Sequence, residues 1–396
     1  MILRKIISLI LLFLSALLTL PIIIFLRLIR PFLCVRFGPI RSDAIGNSIF
    51  YLNYYLTKKE LDNLKTIDLF YFDHPNFPNA QWALMARRYV RINQLFYYFD
   101  RMNNFLPGGR DHFINPVYDD LDGLLYRSNQ QFKFTEEEET KGRKYLQDLG
   151  LSPKDKFVTL ITRDSSYKEF FYGDDVQDFS YHNYRNSDIN RYKKASVELA
   201  KRGYWVLRMG KKVSQKFEVD SPFVQDYANS EYQSDFLDIW LMAKCNFCIT
   251  TGTGTDMIAS IFRRPVLYVN FIPISNITNF LPSTTIPKKL IWKDKNKTLL
   301  TLNEMLLHNY NTSIEYNDAF IDIVELDPRE INEAVMEMVD RIEGNINDNE
   351  ESIKLQYHFW SIFKSSEYYN SNPSWFAPGV RIGNAFLKGN KSWFLK

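Results

Sequence analysis

Cysteine is scarce in this chain of 396 residues, with only Cys34, Cys245 and Cys248. So few thiols in so long a chain exclude a disulfide scaffold. Acid is missing from the amino-terminal stretch. Arg4, Lys5, Arg27, Arg30, Arg36 and Arg41 all precede the first carboxylate, Asp43, and contribute +6. Of the formal net charge of +3, the remainder therefore carries −3, which excludes a basic nucleic-acid binder. There is no His-Glu-x-x-His, no Gly-x-Ser-x-Gly, no P-loop and no repeat of solenoid length. The chain is 45% hydrophobic, 24% charged and 16% aromatic, a folded protein of two or three domains rather than a disordered or collagen-like one. Its aromatic content reflects a composition rich in Asn, Ile, Lys, Phe and Tyr.

Residues 6–26 form an uninterrupted apolar run flanked by Arg4 and Lys5 and by Arg27 and Arg30. As a helix rising about 1.5 Å per residue it covers roughly 31 Å, enough to cross a hydrocarbon core. The run is longer than a cleaved signal's apolar region and does not end in small residues. It predicts a retained anchor, either a transmembrane helix or a helix lying in one leaflet. The basic residues that follow it place the body at the cytoplasmic face of the inner membrane by the positive-inside rule.

Beyond the anchor, residues 33–37 read as a strand, 38–46 as a loop, a helix follows to about Lys58, and 67–72 as a strand, a βαβ pattern. Residues 80–88 and 94–103 read as helices and 107–126 as loop. Thr135-Glu136-Glu137-Glu138 is a capping box opening a helix that stops at Gly150. Strands at 157–162, 204–209, 223–227, 246–250 and 266–270 then alternate with helices at 188–202, 235–244 and 256–262. Short apolar strands alternating with amphipathic helices imply a parallel sheet covered on both faces. The prediction is an α/β chain with an anchor over 1–32 and two Rossmann-like domains facing a cleft, over 33–150 and 151–345. A tail over 346–396 would pack back on the first domain.

In an open α/β sheet, ligands bind beyond the carboxyl ends of the strands. Four segments fall there: Arg41–Asn47, Thr162–Tyr167, Arg208–Lys212 and Thr251–Asp256. The last offers amides and hydroxyls at a helix mouth, with glycines that admit an anion closely. Together they predict a diphosphate site. The Gly252-x-Gly254 pair is a poor dinucleotide fingerprint, since Met257 stands where a third glycine belongs and no acid follows until Asp294. Asp120-x-Asp122 lacks a strand before it, so no metal site is expected, and no cofactor. Cys245-x-x-Cys248 joins a helix end to a strand, which suits packing rather than zinc or redox chemistry.

The runs Phe157–Tyr167, His182–Ile189 and Gly203–Gly210 resemble a poorly characterised group of bacterial glycosyltransferases of the GT-B type, linked to surface polysaccharide synthesis. The resemblance covers roughly residues 140–275 and rests on Arg163-Asp164 with Tyr167, on Arg185-Asn186 with Asp188, and on Arg208-Met209-Gly210. It implies a GT-B-like fold whose carboxyl-terminal domain holds a nucleotide-sugar donor. The amino-terminal domain would present a glycan or lipid-linked acceptor, and a last helix, near 380–387, would cross back to it.

The expectation is therefore a membrane-anchored, metal-independent glycosyltransferase. Arg163 and Arg208 are expected as counter-ions to the leaving phosphates, because arginine offers them a fixed fork. Gly210 lies beside them, and Gly252, Thr253, Gly254, Thr255 and Asp256 are expected as the cradle. Gly46 and Asn47 would close from the other domain. Asp43 and His182 are the candidate bases for the acceptor hydroxyl. A non-catalytic glycan-binding scaffold and a sugar-nucleotide epimerase are the alternatives.

Overall fold

A computed structural model describes residues 17–74, 77–172, 179–294, 296–346 and 348–396. The chain divides into two compact units, Met1–Asp119 and Asp120–Lys396. The division precedes the expected boundary near residue 150, and packing explains why. The capping-box helix, Glu136–Asp148, lays Gly142 against the Trp240 ring, and its Glu139 pairs with Lys244 at 2.5 Å. That helix is part of the second unit.

In the first unit, β1 (Cys34–Ile40), β2 (Thr66–Phe72) and β3 (Arg91–Ile92) form a parallel sheet in that order. The helix Ile45–Leu61 connects the first two, as the βαβ pattern predicts. β1 runs three residues further than expected, through Gly38 and Pro39. As an edge strand it tolerates proline, and Gly38 leaves room for Ile114, which a Cβ would approach to 2.7 Å. A helix over residues 17–28 precedes β1. It buries Thr19 and Ile23, the latter in a cluster with Val35 and Phe37. Residues 6–16 of the expected anchor lie outside the described residues. Among those described, no helix is long and apolar enough to cross a membrane.

The second unit holds β4 (Lys156–Ile161), β5 (Tyr204–Arg208), β6 (Val224–Gln225), β7 (Phe247–Thr250), β8 (Val266–Phe271) and β9 (Ser283–Pro287). An antiparallel pair, β10 (Lys289–Trp292) and β11 (Ile321–Val324), follows, and then β12 (Arg381–Ile382). The large sheet is parallel throughout, in the order β12-β9-β8-β7-β4-β5-β6. Its central strands are buried on both faces, as Val158, Leu160, Phe247 and Ile249 require. From β6 to β9 this is the order of a doubly wound sheet, with its switch point between β4 and β7.

The carboxyl-terminal segment, expected to return to the first domain, instead completes the second. β12 pairs with β9, and the helices Glu350–Ser365 and Asn384–Phe394 place Phe359, Phe363, Leu387 and Phe394 in the second unit's core. Glu337 fixes the last helix by accepting the Asn384 and Ala385 amides, each at 2.9 Å.

Candidate active site

The switch point brings three loops together. After β4 the chain leaves the sheet at Thr162, and the Arg163 amide donates to Thr251 Oγ1 at 2.9 Å. The Arg163 carbonyl in turn accepts from the Ser187 amide at 3.0 Å. Arg185, two residues earlier, donates from its guanidinium to the Gly252 carbonyl. These bonds stitch the 162–167, 185–188 and 250–256 loops into one surface at the ends of β4 and β7.

Two cations meet on that surface. Burial and the neighbouring Arg185 charge together depress the Arg163 pKa to about 10. Its Nε is buried with no hydrogen-bond partner, and among the described residues neither arginine forms a salt bridge with a carboxylate. The Thr253 hydroxyl is also buried without a partner. Like charges held together in a low-dielectric setting, beside an unsatisfied hydroxyl, form a site that favours an anion.

The glycine loop itself departs from expectation. The Asp256 carboxylate curls back beneath it and accepts the Gly254 amide at 2.8 Å, the Thr253 amide at 3.3 Å and the Thr250 hydroxyl at 3.0 Å. The Thr250 hydroxyl in turn accepts the Gly252 amide at 3.0 Å. The amides expected to cradle phosphates are therefore engaged within the loop, and burial raises the Asp256 pKa. Gly252 and Gly254 serve the turn, with φ of +81° and +92°. Thr255 precedes the short helix Asp256–Ile261 and gives it no side-chain cap. Anion binding falls to the two guanidinium groups and the Thr253 hydroxyl.

Arg208 requires a second correction. It is fully buried and paired with Asp226 at 3.0 Å, so its charge is already met. Asp226 also holds the Phe217 amide at 2.8 Å, which makes the pair a structural clasp for the loop after β5. Gly210 adopts a φ of +152° beside Val213, and Lys211 pairs with Asp235 at 2.7 Å.

A cavity of about 420 Å³ adjoins the site, with Thr162, Asp164, Tyr184, Arg208, Lys288 and Glu325 in its walls. Sequence reasoning missed the last two. Lys288 is buried and donates to the carbonyls of Tyr184, at 3.1 Å, and Asn186; burial brings its pKa to about 8. Glu325 accepts the Ser187 hydroxyl at 2.6 Å and the Asp188 amide at 3.1 Å. Asn270, at a φ of +56°, links them by donating to Ser187 Oγ at 3.2 Å. The one available signal was that Lys288 directly follows β9.

The other motif residues shape the loops. Asp164 accepts the Ser166 and Ser214 amides, each at 3.0 Å. Asp188 caps the turn Ile189–Tyr192 through the Asn190 amide at 3.0 Å, and Asn186 is held to Asn183 at 3.1 Å. The Tyr167 ring stacks on Phe171 at 5.7 Å, and the His182 ring lies 4.0 Å from that of Tyr181. Asp120 caps the turn Leu124–Arg127, accepting two amides at 2.8 Å, so its carboxylate has a structural use. Both Cys245 and Cys248 are buried, and burial pushes the Cys245 thiol up to about 11.

In the first unit, Asp43 follows β1 and pairs with Arg41 at 2.8 Å. Burial pushes the Asp43 carboxyl up, but the Arg41 guanidinium outweighs it and holds it below its ordinary value. Gly46 and Asn47, expected in a loop, lie in the first turn of the helix Ile45–Leu61. Ser42 ties the ends of β1 and β2 by donating its amide to Asp73 at 2.9 Å and accepting that of His74 at 2.8 Å.

No family model and no curated protein matches the chain. Among solved structures it is similar to a glycosyl transferase of family 9 from Veillonella parvula. The identity is 12%, over 64% of this chain and 86% of that one, with a TM-score of 0.39. It is also similar to the ADP-heptose lipopolysaccharide heptosyltransferase II of E. coli, at 12% identity over 78% of this chain and all of that one, with a TM-score of 0.41. The E. coli heptosyltransferase WaaC, solved with ADP, is 10% identical over 59% of this chain and 87% of that one, with a TM-score of 0.29.

Proposed function

We propose that the chain is a membrane-anchored glycosyltransferase that moves a sugar from a nucleoside diphosphate to a hydroxyl acceptor in surface polysaccharide or glycolipid synthesis. The observation that carries this reading is the pair of neighbouring arginines, Arg163 and Arg185, which form no salt bridge among the described residues, at the switch point between β4 and β7. As the acceptor oxygen bonds to the anomeric carbon, the bond from that carbon to the phosphate oxygen breaks. Negative charge then develops on the departing diphosphate. The two guanidinium groups, in a partly dry setting, stabilise that charge without a metal. The adjoining cavity takes the nucleoside.

The acceptor is assigned to the first unit, with Asp43 as the base. Its carboxylate is ionised at neutral pH, as accepting the hydroxyl proton requires, and the Arg41 pairing that lowers its pKa also weakens it as a base. The apolar run over 6–26 and the basic residues after it support attachment to the inner membrane with the body in the cytoplasm.

Thermal-shift titration of the full chain in detergent against UDP, GDP, CMP and ADP tests the donor site. At least one nucleoside diphosphate is expected to stabilise the wild type and not Arg163→Ala. Stabilisation by none of them would overturn the reading.

A further inference from the structure

We infer that the chain does not cross the membrane, and that the helix over residues 17–28 clamps the first unit to one leaflet. This deepens the membrane attachment proposed above and is independent of the sugar-transfer chemistry.

The helix is apolar on every side. One face packs on protein through Thr19, Ile23 and Leu26. The opposite face exposes Leu17, Leu18, Ile22, Ile24, Phe25 and Leu28, the last of them 73% accessible. A surface helix of a water-soluble domain turns polar residues outward, whereas one apolar all round belongs in a core or in lipid.

The packed face is held firmly. Arg27 donates to the carbonyls of Pro107, at 2.6 Å, and Asn103, at 2.7 Å, and to Asn103 Oδ1 at 2.8 Å. Those acceptors lie at the end of the helix Phe96–Phe105, whose last ring, Phe105, is 83% exposed. Phe32, just beyond the clamp, is 93% exposed. Arg30, which pairs with Asp111, and the exposed Arg110 lie beside this apolar segment in sequence, where anionic headgroups would compete with Asp111 for Arg30.

Length argues against a span. With Thr19, Ile23 and Leu26 committed to protein, the part of the apolar run that precedes them in the sequence is residues 6–18. Even as a continuous helix these would reach only about 20 Å, short of the ~30 Å hydrocarbon core. The occupant that fits is one leaflet of a phospholipid bilayer containing anionic lipid. The same sequence that supplies the exposed face continues toward the amino terminus without a charge as far as Ile6.

The test uses the full chain with Cys34→Ser, since Cys245 and Cys248 are buried. An environment-sensitive fluorophore is placed in turn at Leu28→Cys, Phe105→Cys and, as a control, Leu61→Cys. Vesicles of phosphatidylcholine and phosphatidylglycerol are added, and flotation is scored in parallel. Emission at positions 28 and 105 is expected to rise severalfold with vesicles and to stay constant at 61. A cysteine added before Met1 is expected to react with an impermeant maleimide from the side that carries the body. Flotation without a change at 105 would mean a loose tether and overturn the clamp. A rise driven by protein concentration without lipid would mean a second copy covers the face. Protection of the amino-terminal cysteine would establish a span. Failure to float would remove the membrane attachment itself while leaving nucleotide binding untouched.

Discussion

The Arg163 guanidinium lies close enough to that of Arg185 for the second charge to lower the pKa of the first, and among the described residues neither forms a salt bridge with a carboxylate. Such a pair costs the fold stability unless something binds it. Replacing either arginine with alanine should therefore cut turnover on the order of a hundredfold or more. The melting temperature of the unliganded Arg163→Ala protein should hold or rise, because a buried like charge is gone, whereas Arg185→Ala also loses its hydrogen bond to the Gly252 carbonyl. Steady-state kinetics and thermal melts on both variants check this, and unchanged turnover would be decisive against the assignment.

Lys288 should make stability depend on alkaline pH. Its folded pKa, about 8, lies below the ordinary 10.5, so the unfolded chain binds this proton more tightly. The cost of burying the charge is complete below pH 8 and relieved as the pH climbs toward 10.5. Relative to Lys288→Met, the wild type should gain up to about 3 kcal/mol over that window. Denaturant melts of both proteins at its two ends measure the difference, and a pH-independent gap would refute the account.

Gly142 sits inside a helix, where alanine ordinarily stabilises by up to ~1 kcal/mol. Here a Cβ would come within 2.1 Å of the Trp240 ring. Gly142→Ala should therefore destabilise, by roughly 1–3 kcal/mol, as overpacking does. Equilibrium unfolding decides the sign, and Trp240→Leu in the same chain should recover part of the loss.

Asp256→Ala removes the acceptor for two loop amides and one hydroxyl at once. The expected cost is on the order of 2–4 kcal/mol, because buried donors lose their partner. Nucleotide affinity should fall with it, since Thr253 would no longer be held in place. Chemical denaturation and titration calorimetry report the two effects separately.

Local chemistry was legible. The helix Asp235–Lys244 begins and ends where its apolar spacing predicts, and the Thr135 capping box forms in full. Five of the seven strands of the large sheet fall within a residue or two of their apolar runs, while β9 and β12 were not anticipated. What stayed hidden depends on distant partners. Nothing near Arg208 in sequence announces Asp226 as its counter-ion, and nothing near Thr253 shows that Asp256 would turn inward. The tail misled because GT-B resemblance carried its last helix to the first domain, whereas Arg381 and Ile382 found an open edge beside β9. Arg185, placed among the motif residues without a chemical role, is the second cation of the site. Its importance follows only from the 179–192 segment lying against the loop after β7.

The inward turn of Asp256 has a consequence for selectivity. A loop already folded around its own carboxylate does not need to be ordered by an incoming ligand, so little entropy would be forfeited if a diphosphate docked as proposed. A grip of that kind is strong but indifferent, because every nucleoside diphosphate carries the same two phosphorus centres. In the proposed reading, discrimination among donors falls to the neighbouring cavity, whose charged walls are Asp164, Asp188, Arg208, Lys288 and Glu325.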